Sequence, residues 1–276
     1  MISETTFNSD NVSFMPPTKK DGKIIARMLY NGASPTIKTP WLRVPWVSPP
    51  YNEEDRLTRP WQITVQEITR TNFETEEENE EQAELVRQWF QHWRDIYEKF
   101  IDYCVENSKM FFGKQYSAGQ REVVKALMGS VVDDHEEYPS AMKFKIPNRD
   151  GVPGTPLFRM GSEDALDADN FEKLTAEIPK GSFVRAVITP SIWIINKKAY
   201  MSFYTKQILL TESTGRMDFS RCAFDTGSSR SSSHVEAGDA DEDEPEAEPE
   251  VGELESETEE SEEEEEDEEE AESEFA

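Results

Sequence analysis

From Val235 to Ala276 the chain carries 25 Asp and Glu and neither Lys nor Arg. Such a segment cannot bury enough apolar surface to offset the entropy of ordering it, so a disordered acidic tail is expected over 235–276. Whatever folds must therefore fold ahead of it, in about 225 residues, a length that supports one domain with a real core. Of the 58 Asp and Glu in the chain, 33 remain in residues 1–234 against 29 Lys and Arg. Seven of those 33 lie in the short run Glu74–Glu84, so the rest of the body is slightly basic. The net charge of −29 thus belongs almost wholly to one end.

Within the body the pattern changes period twice. Residues 1–20 read as an irregular arm. "KIIARMLY" (23–30), "PTIKTPWLRVPW" (35–46) and "WQITVQEI" (61–68) read as strands, the last alternating Trp61, Ile63 and Val65 with polar neighbours. Then Leu85, Val86, Trp89, Phe90, Trp93, Ile96, Tyr97, Phe100, Ile101 and Cys104 fall at three-to-four spacing, which predicts a long amphipathic helix over about 76–108. Thr75 with Glu78 forms a capping box at its start. A second helix is expected at about 118–129, from Ser117 with Gln120 to Gly129. Strand character returns at "MKFKI" (142–146) and "LFRM" (157–160), and from Gly181 to Leu210 the chain is nearly all strand, with "NKK" (196–198) as a hairpin turn. "GSSRSSS" (227–233) reads as flexible linker.

The fold class that follows is mainly β with a helical insertion (α+β): an OB-fold-like antiparallel barrel plus the disordered acidic C-terminal tail. The expected layout is an arm at 1–20 and a nucleic-acid-binding domain at 21–222 with its insertion at about 76–129. A linker at 223–234 and the tail at 235–276 complete it. An OB-fold helix lies typically between the third and fourth strands, and on this reading the helical block falls there.

Signatures of catalysis are missing. His92, His135 and His234 do not cluster with cysteine as a zinc site requires. "GKQYSAGQR" (113–121) has no terminal Gly-Lys-Ser/Thr and is no phosphate loop. "DADEDEPEAEPE" (239–250) puts acids at calcium-loop positions but has Glu244 in place of the required glycine. Cys104, on the apolar helix face, reads as a core residue, and with Cys222 it makes no disulfide framework. "MISETTFNSDNVSF" has no basic and apolar leader pattern, so no signal peptide is expected. The expectation is a non-enzymatic, intracellular protein without cofactor or metal.

One stretch stands apart. Ile178–Thr211 contains Lys180, Arg185, Lys197, Lys198 and Lys206, no Asp or Glu, and the aromatics Phe183, Trp193, Tyr200, Phe203 and Tyr204. Cations can track phosphates while rings stack on unpaired bases. "IKTPWLRVPW" repeats the mixture with Lys38, Trp41, Arg43 and Trp46. Strand alternation gives Tyr200, Tyr204 and Lys206 one face and Phe203 the other. The first three are expected to face solvent or ligand and Phe203 the core. Trp193 leans toward core, with a ligand-facing role left open. The candidate nucleic-acid contacts are Lys38, Trp41, Arg43, Arg185, Trp193, Lys197, Lys198, Tyr200, Tyr204 and Lys206.

Together, residues 178–210, "TIKTPWLRVPW" (36–46) and an acidic terminus ending in an aromatic resemble viral single-stranded DNA-binding proteins. The likeness is to the group in large nucleo-cytoplasmic DNA viruses, itself similar to the single-stranded DNA-binding protein of short-tailed phages. It covers most of 20–212 and the tail. It implies an OB-fold and roles in DNA replication, recombination and repair, at a viral replication site in host cytoplasm or nucleus, not secreted and not on a membrane. It further implies a tail that competes with DNA and recruits replication proteins such as the viral DNA polymerase. Phe275 would be the apolar anchor there, with Glu272 and Glu274 beside it. Two departures stand out: Ala276 follows the aromatic, and the hairpin lacks a glycine near Ala199. A homodimer and the choice between DNA and RNA stay open. The competing reading is an acidic-tail histone chaperone or scaffold that binds basic proteins.

Overall fold

The alternation in "LRVPWVS", "WQITVQ" and "AMKFKI" produces β1 (Leu42–Ser48), β2 (Trp61–Gln66) and β3 (Ala141–Ile146). The long β segment becomes β4 (Phe183–Ile195) and β5 (Lys198–Leu210). The computed structural model describes residues 1–20, 23–68 and 75–211. They belong to the first of two units into which the chain divides, Met1–Arg221. The linker, the acidic tail, His234, Cys222 and the candidate anchors Glu272, Glu274 and Phe275 lie outside the described residues.

Strand pairing runs in a ring. β1 pairs antiparallel with β2, β2 antiparallel with β3, β3 parallel with β5, β5 antiparallel with β4, and β4 antiparallel with β1 through Phe183–Arg43 and Val184–Leu42. These five strands close into a ring within a seven-stranded sheet, which Ile37–Lys38 and Leu157–Arg159 complete, and a ring with this connectivity is OB-like. Leu42, Val44, Ile63, Val65, Phe144, Ile188 and Phe203 fill its inside.

The helical block sits one strand earlier than the sequence implies. The long helix α1 (Glu76–Glu106) joins β2 to β3, not the third barrel strand to the fourth. The reason is that "KIIARMLY" is not a barrel strand. It breaks in two, Lys23–Ile25 pairing with Thr18–Lys20 and Met28–Tyr30 with Val12–Phe14. The helix between β3 and β4 is the short Phe171–Glu177.

α1 itself forms as its sequence dictates. The Thr75 hydroxyl accepts from Glu78 N–H at 3.1 Å and Glu78 returns the bond to the Thr75 N–H at 3.3 Å, closing the capping box. Its apolar stripe covers the barrel: Trp93 meets Phe203 edge-on at 4.6 Å between centroids. Cys104 is fully buried in that stripe, and burial pushes its thiol well above the ordinary range. The expected second helix is shorter than its pattern suggested, a 3-10 turn at Ala118–Gln120 leading into Arg121–Lys125, although the Ser117–Gln120 box is present.

The N-terminal residues are built in rather than loose. Ile2 bridges to Ile37, and Phe7 is buried at 5.0 and 5.1 Å from the rings of Trp89 and Trp93. No described helix is long and apolar enough to cross a membrane.

Candidate nucleic-acid interface

β4 and β5 are longer than the barrel needs, so their far ends project as a hairpin. Its turn is Asn196–Lys197, at φ 51° and 57°, between the paired Ile195 and Lys198. Two successive left-handed residues make a type I′ turn, which matches the twist of a hairpin. Asn196 adopts this readily; Lys197 does so at some cost. On β4, residues 184, 186, 188, 190 and 192 are buried and Arg185, Val187, Thr189, Ser191 and Trp193 point outward. On β5, Ala199, Met201, Phe203 and Thr205 are buried. A bulge follows: Val187 pairs with Gln207 and Ile188 with Thr205, which leaves Lys206 without a partner across the ladder. Lys206 and Gln207 are both exposed there.

The outward face of the hairpin and of β2–β3 lines a cleft of about 620 Å³. Trp193 lies opposite Tyr200 in register, Tyr204 beside Lys145, and Lys145 beside Gln62. The Trp193 and Tyr204 rings stand 6.5 Å apart at 54°. Lys145 Nζ lies 5.7 Å from the Tyr204 centroid. Burial pushes the Lys145 ammonium below its ordinary pKa and the Tyr204 phenol above its own. No carboxylate pairs with Lys145 among the described residues. Lys143, two positions along the same face, is instead held by Asp133 at 2.8 Å.

The helical insertion supplies the cleft's other wall. Gly129 N–H donates to Ala199 C=O at 2.9 Å, Ala199 N–H to Leu127 C=O at 3.0 Å, and Asp133 and Ala141 exchange two backbone bonds. A Cβ on Gly129 would lie 2.7 Å from Tyr200 Cδ1, so only glycine lets the wall approach the ring this closely. The arrangement brings the rings of Trp193, Tyr200 and Tyr204 and a cation unpaired among the described residues to one open channel.

Of the sequence candidates, Trp193, Tyr200 and Tyr204 come together here, with Lys197 and Lys198 exposed at the hairpin tip. The lean of Trp193 toward the core is corrected: it is 44% exposed, on the outward face of the hairpin beyond the barrel. Phe203 is buried and Tyr200 and Tyr204 are half-exposed on the opposite face, as alternation requires.

Lys38, Trp41, Arg43 and Arg185 are elsewhere. Arg185 is eight residues up β4 from Trp193, about 26 Å at roughly 3.3 Å per residue. Trp41 is corrected from a stacking surface to a core residue, 6% exposed beneath the Arg185 guanidinium, 5.5 Å from its ring. Arg185 in turn forms an ion pair with Glu4. Lys38 is exposed beside Val187, at a second concavity it shares with Arg185 and Phe158. Arg43 donates to Gln66 Oε1 at 3.3 Å.

Sequence reasoning missed Gln62, Lys143 and Lys145 as site residues, and it left Trp46 out of the candidate contacts. The signal for the lysines was in "MKFKI", where bases two apart on a strand must share a face. Trp46, 53% exposed, pairs with Thr64, which pairs with Lys143. It is thus on the same outer face, about 10 Å from Lys143 at roughly 4.8 Å per strand.

No protein-family profile and no curated protein matches the chain. Among solved structures it is similar to the single-stranded DNA-binding protein from bacteriophage Enc34 in complex with ssDNA, at 13% identity and a TM-score of 0.38, over 74% of this chain and 97% of that one. It is also similar to a single-stranded DNA-binding protein encoded by bacteriophage T7, at 12% identity and a TM-score of 0.41, over 66% of this chain and 95% of that one.

Proposed function

We propose that the protein binds single-stranded DNA without sequence preference and acts by binding rather than catalysis. The observation that carries this is the cleft, which the rings of Trp193, Tyr200 and Tyr204 line together with Lys145, an ammonium beside Tyr204 with no carboxylate partner among the described residues. Bases stacked on such rings gain about 1–3 kcal/mol each whatever their identity, and a lysine beside them contributes attraction for a phosphate. A paired base offers no free face to stack, so the channel favours single strands.

The rest of the proposal follows from the charge distribution. The 25 acids of the tail, tethered to a locally basic body, compete with DNA at high effective concentration. Phe275 adds an apolar anchor for a replication protein such as a polymerase, with Glu272 and Glu274 beside it. The role is in replication, recombination and repair at the replication site of a large DNA virus.

The test is titration of labelled oligo-dT, a duplex, an RNA of the same length and core histones at two salt concentrations. A strand held at roughly four to six phosphates gives a log–log salt slope near −3 to −4, with duplex bound more weakly. A slope near zero, or equal binding of duplex, contradicts the proposal. Histone binding without DNA binding returns the chaperone reading.

A further inference from the structure

Lys143 and Lys145 share one strand face, and a carboxylate already sits on Lys143. Asp133 Oδ2 lies 2.8 Å from Lys143 Nζ, inside the same cleft that Trp193 and Tyr204 line. This is not a chance touch between two mobile side chains. The Ser130 hydroxyl donates to the other Asp133 oxygen. The Asp133 backbone is paired in both directions with Ala141, at 2.8 and 3.0 Å. The wall that bears it is tied to the hairpin through Gly129 and Ala199. Burial works against ionisation of Asp133, but the hydrogen bonds from Lys143 and Ser130 outweigh it and hold the carboxyl below the usual carboxylate range. An anion is therefore fixed on this lysine at neutral pH.

We infer that Asp133 is the residue that sets the affinity of the cleft: it occupies on Lys143 the place a DNA phosphate would take, and a bound strand must displace it. This rests on the single-stranded DNA reading of the site. Lys145, with no carboxylate of its own among the described residues, then anchors the strand, and Lys143 contributes only by exchanging one anion for another. The exchange adds little binding and releases no additional counterion. Removing the carboxylate turns Lys143 into a second free cation at the same spot.

The experiment compares wild type with Asp133→Asn, which keeps the shape and the Ser130 contact and removes the charge. The control is Glu136→Gln, the same charge change at an exposed position nearby in the chain. Both are titrated with oligo-dT over a range of salt, alongside thermal unfolding. Asp133→Asn is expected to bind roughly threefold to tenfold tighter at low salt, with the log–log salt slope steeper by about 0.7 for one more phosphate neutralised. Glu136→Gln should change neither by that amount. Adding Lys143→Gln to Asp133→Asn should remove both gains, which a purely structural effect of residue 133 would not do. If wild type binds oligo-dT and Asp133→Asn binds no tighter with an unchanged slope, the inference fails while the DNA-binding reading stands. Equal tightening by Glu136→Gln also overturns it, since bulk charge would then suffice. If wild type does not bind oligo-dT, both fall together.

Discussion

Two places on the β4–β5 hairpin carry the same residue types and differ in what already holds them. At one end, Trp193 and Tyr204 are partly exposed and Lys145 has no carboxylate partner among the described residues. At the other, Trp41 is buried and Arg185 is closed between its ring and the Glu4 carboxylate. Both pair a base with an aromatic; Trp193, Tyr204, Trp41 and Arg185 came from stretches that read alike in sequence, while Lys145 came from "MKFKI". One end is an open surface; the other is a clamp that fastens the N-terminal segment to the barrel. Composition nominates such pairs, but exposure of the ring and occupancy of the cation decide their use.

The largest expected effect breaks the comparison through stability. Trp41→Ala removes a buried indole and should cost about 3–5 kcal/mol in urea unfolding. Tyr204→Ala, on a half-exposed residue, should cost far less stability and instead weaken oligo-dT binding by about 1–3 kcal/mol. If Trp41→Ala keeps wild-type stability and loses DNA, the two ends have been assigned the wrong way round.

A smaller effect separates the cations. Lys145→Gln should make the salt slope shallower by about 0.7, one phosphate contact. Arg185→Gln should leave the slope unchanged, because Glu4 already neutralises that guanidinium. Equal loss of slope in both variants would place DNA along the whole hairpin.

These assignments also show where sequence reasoning stops. α1, both capping boxes, the hairpin turn and the inward Phe203 were legible because each depends on residues near one another in the chain. Trp41 and Trp46 were not separable. A register shift between Arg43 and Trp46 breaks the alternation and leaves Trp46 exposed, while Trp41 is buried beneath Arg185. The bulge at Lys206 likewise exposes two consecutive residues. Nothing in the sequence singles out Asp133. Its meaning comes from Lys143 ten residues later, and the wall bearing it is tied to Ala199 some seventy residues on. The split of "KIIARMLY" has a different origin: its partners, Val12–Phe14 and Thr18–Lys20, lie in the nearby arm that reads as irregular.

The smallest effect is at the hairpin tip. Lys197→Gly relieves a left-handed lysine and should raise stability by up to about 1 kcal/mol. Oligo-dT binding should lose at most the contribution of one exposed charge. A stability loss would mean that the lysine stem packs on the turn and that its backbone strain is minor.

The most direct test of the central claim is photocrosslinking of oligonucleotides bearing 5-iododeoxyuridine, with the attached residues mapped by mass spectrometry. Seating in the cleft predicts crosslinks at Trp193, Tyr200 or Tyr204, lost in excess unlabelled oligo-dT. Crosslinks confined to Phe158 or Trp41, at the Arg185 end, with none in the cleft, would contradict it.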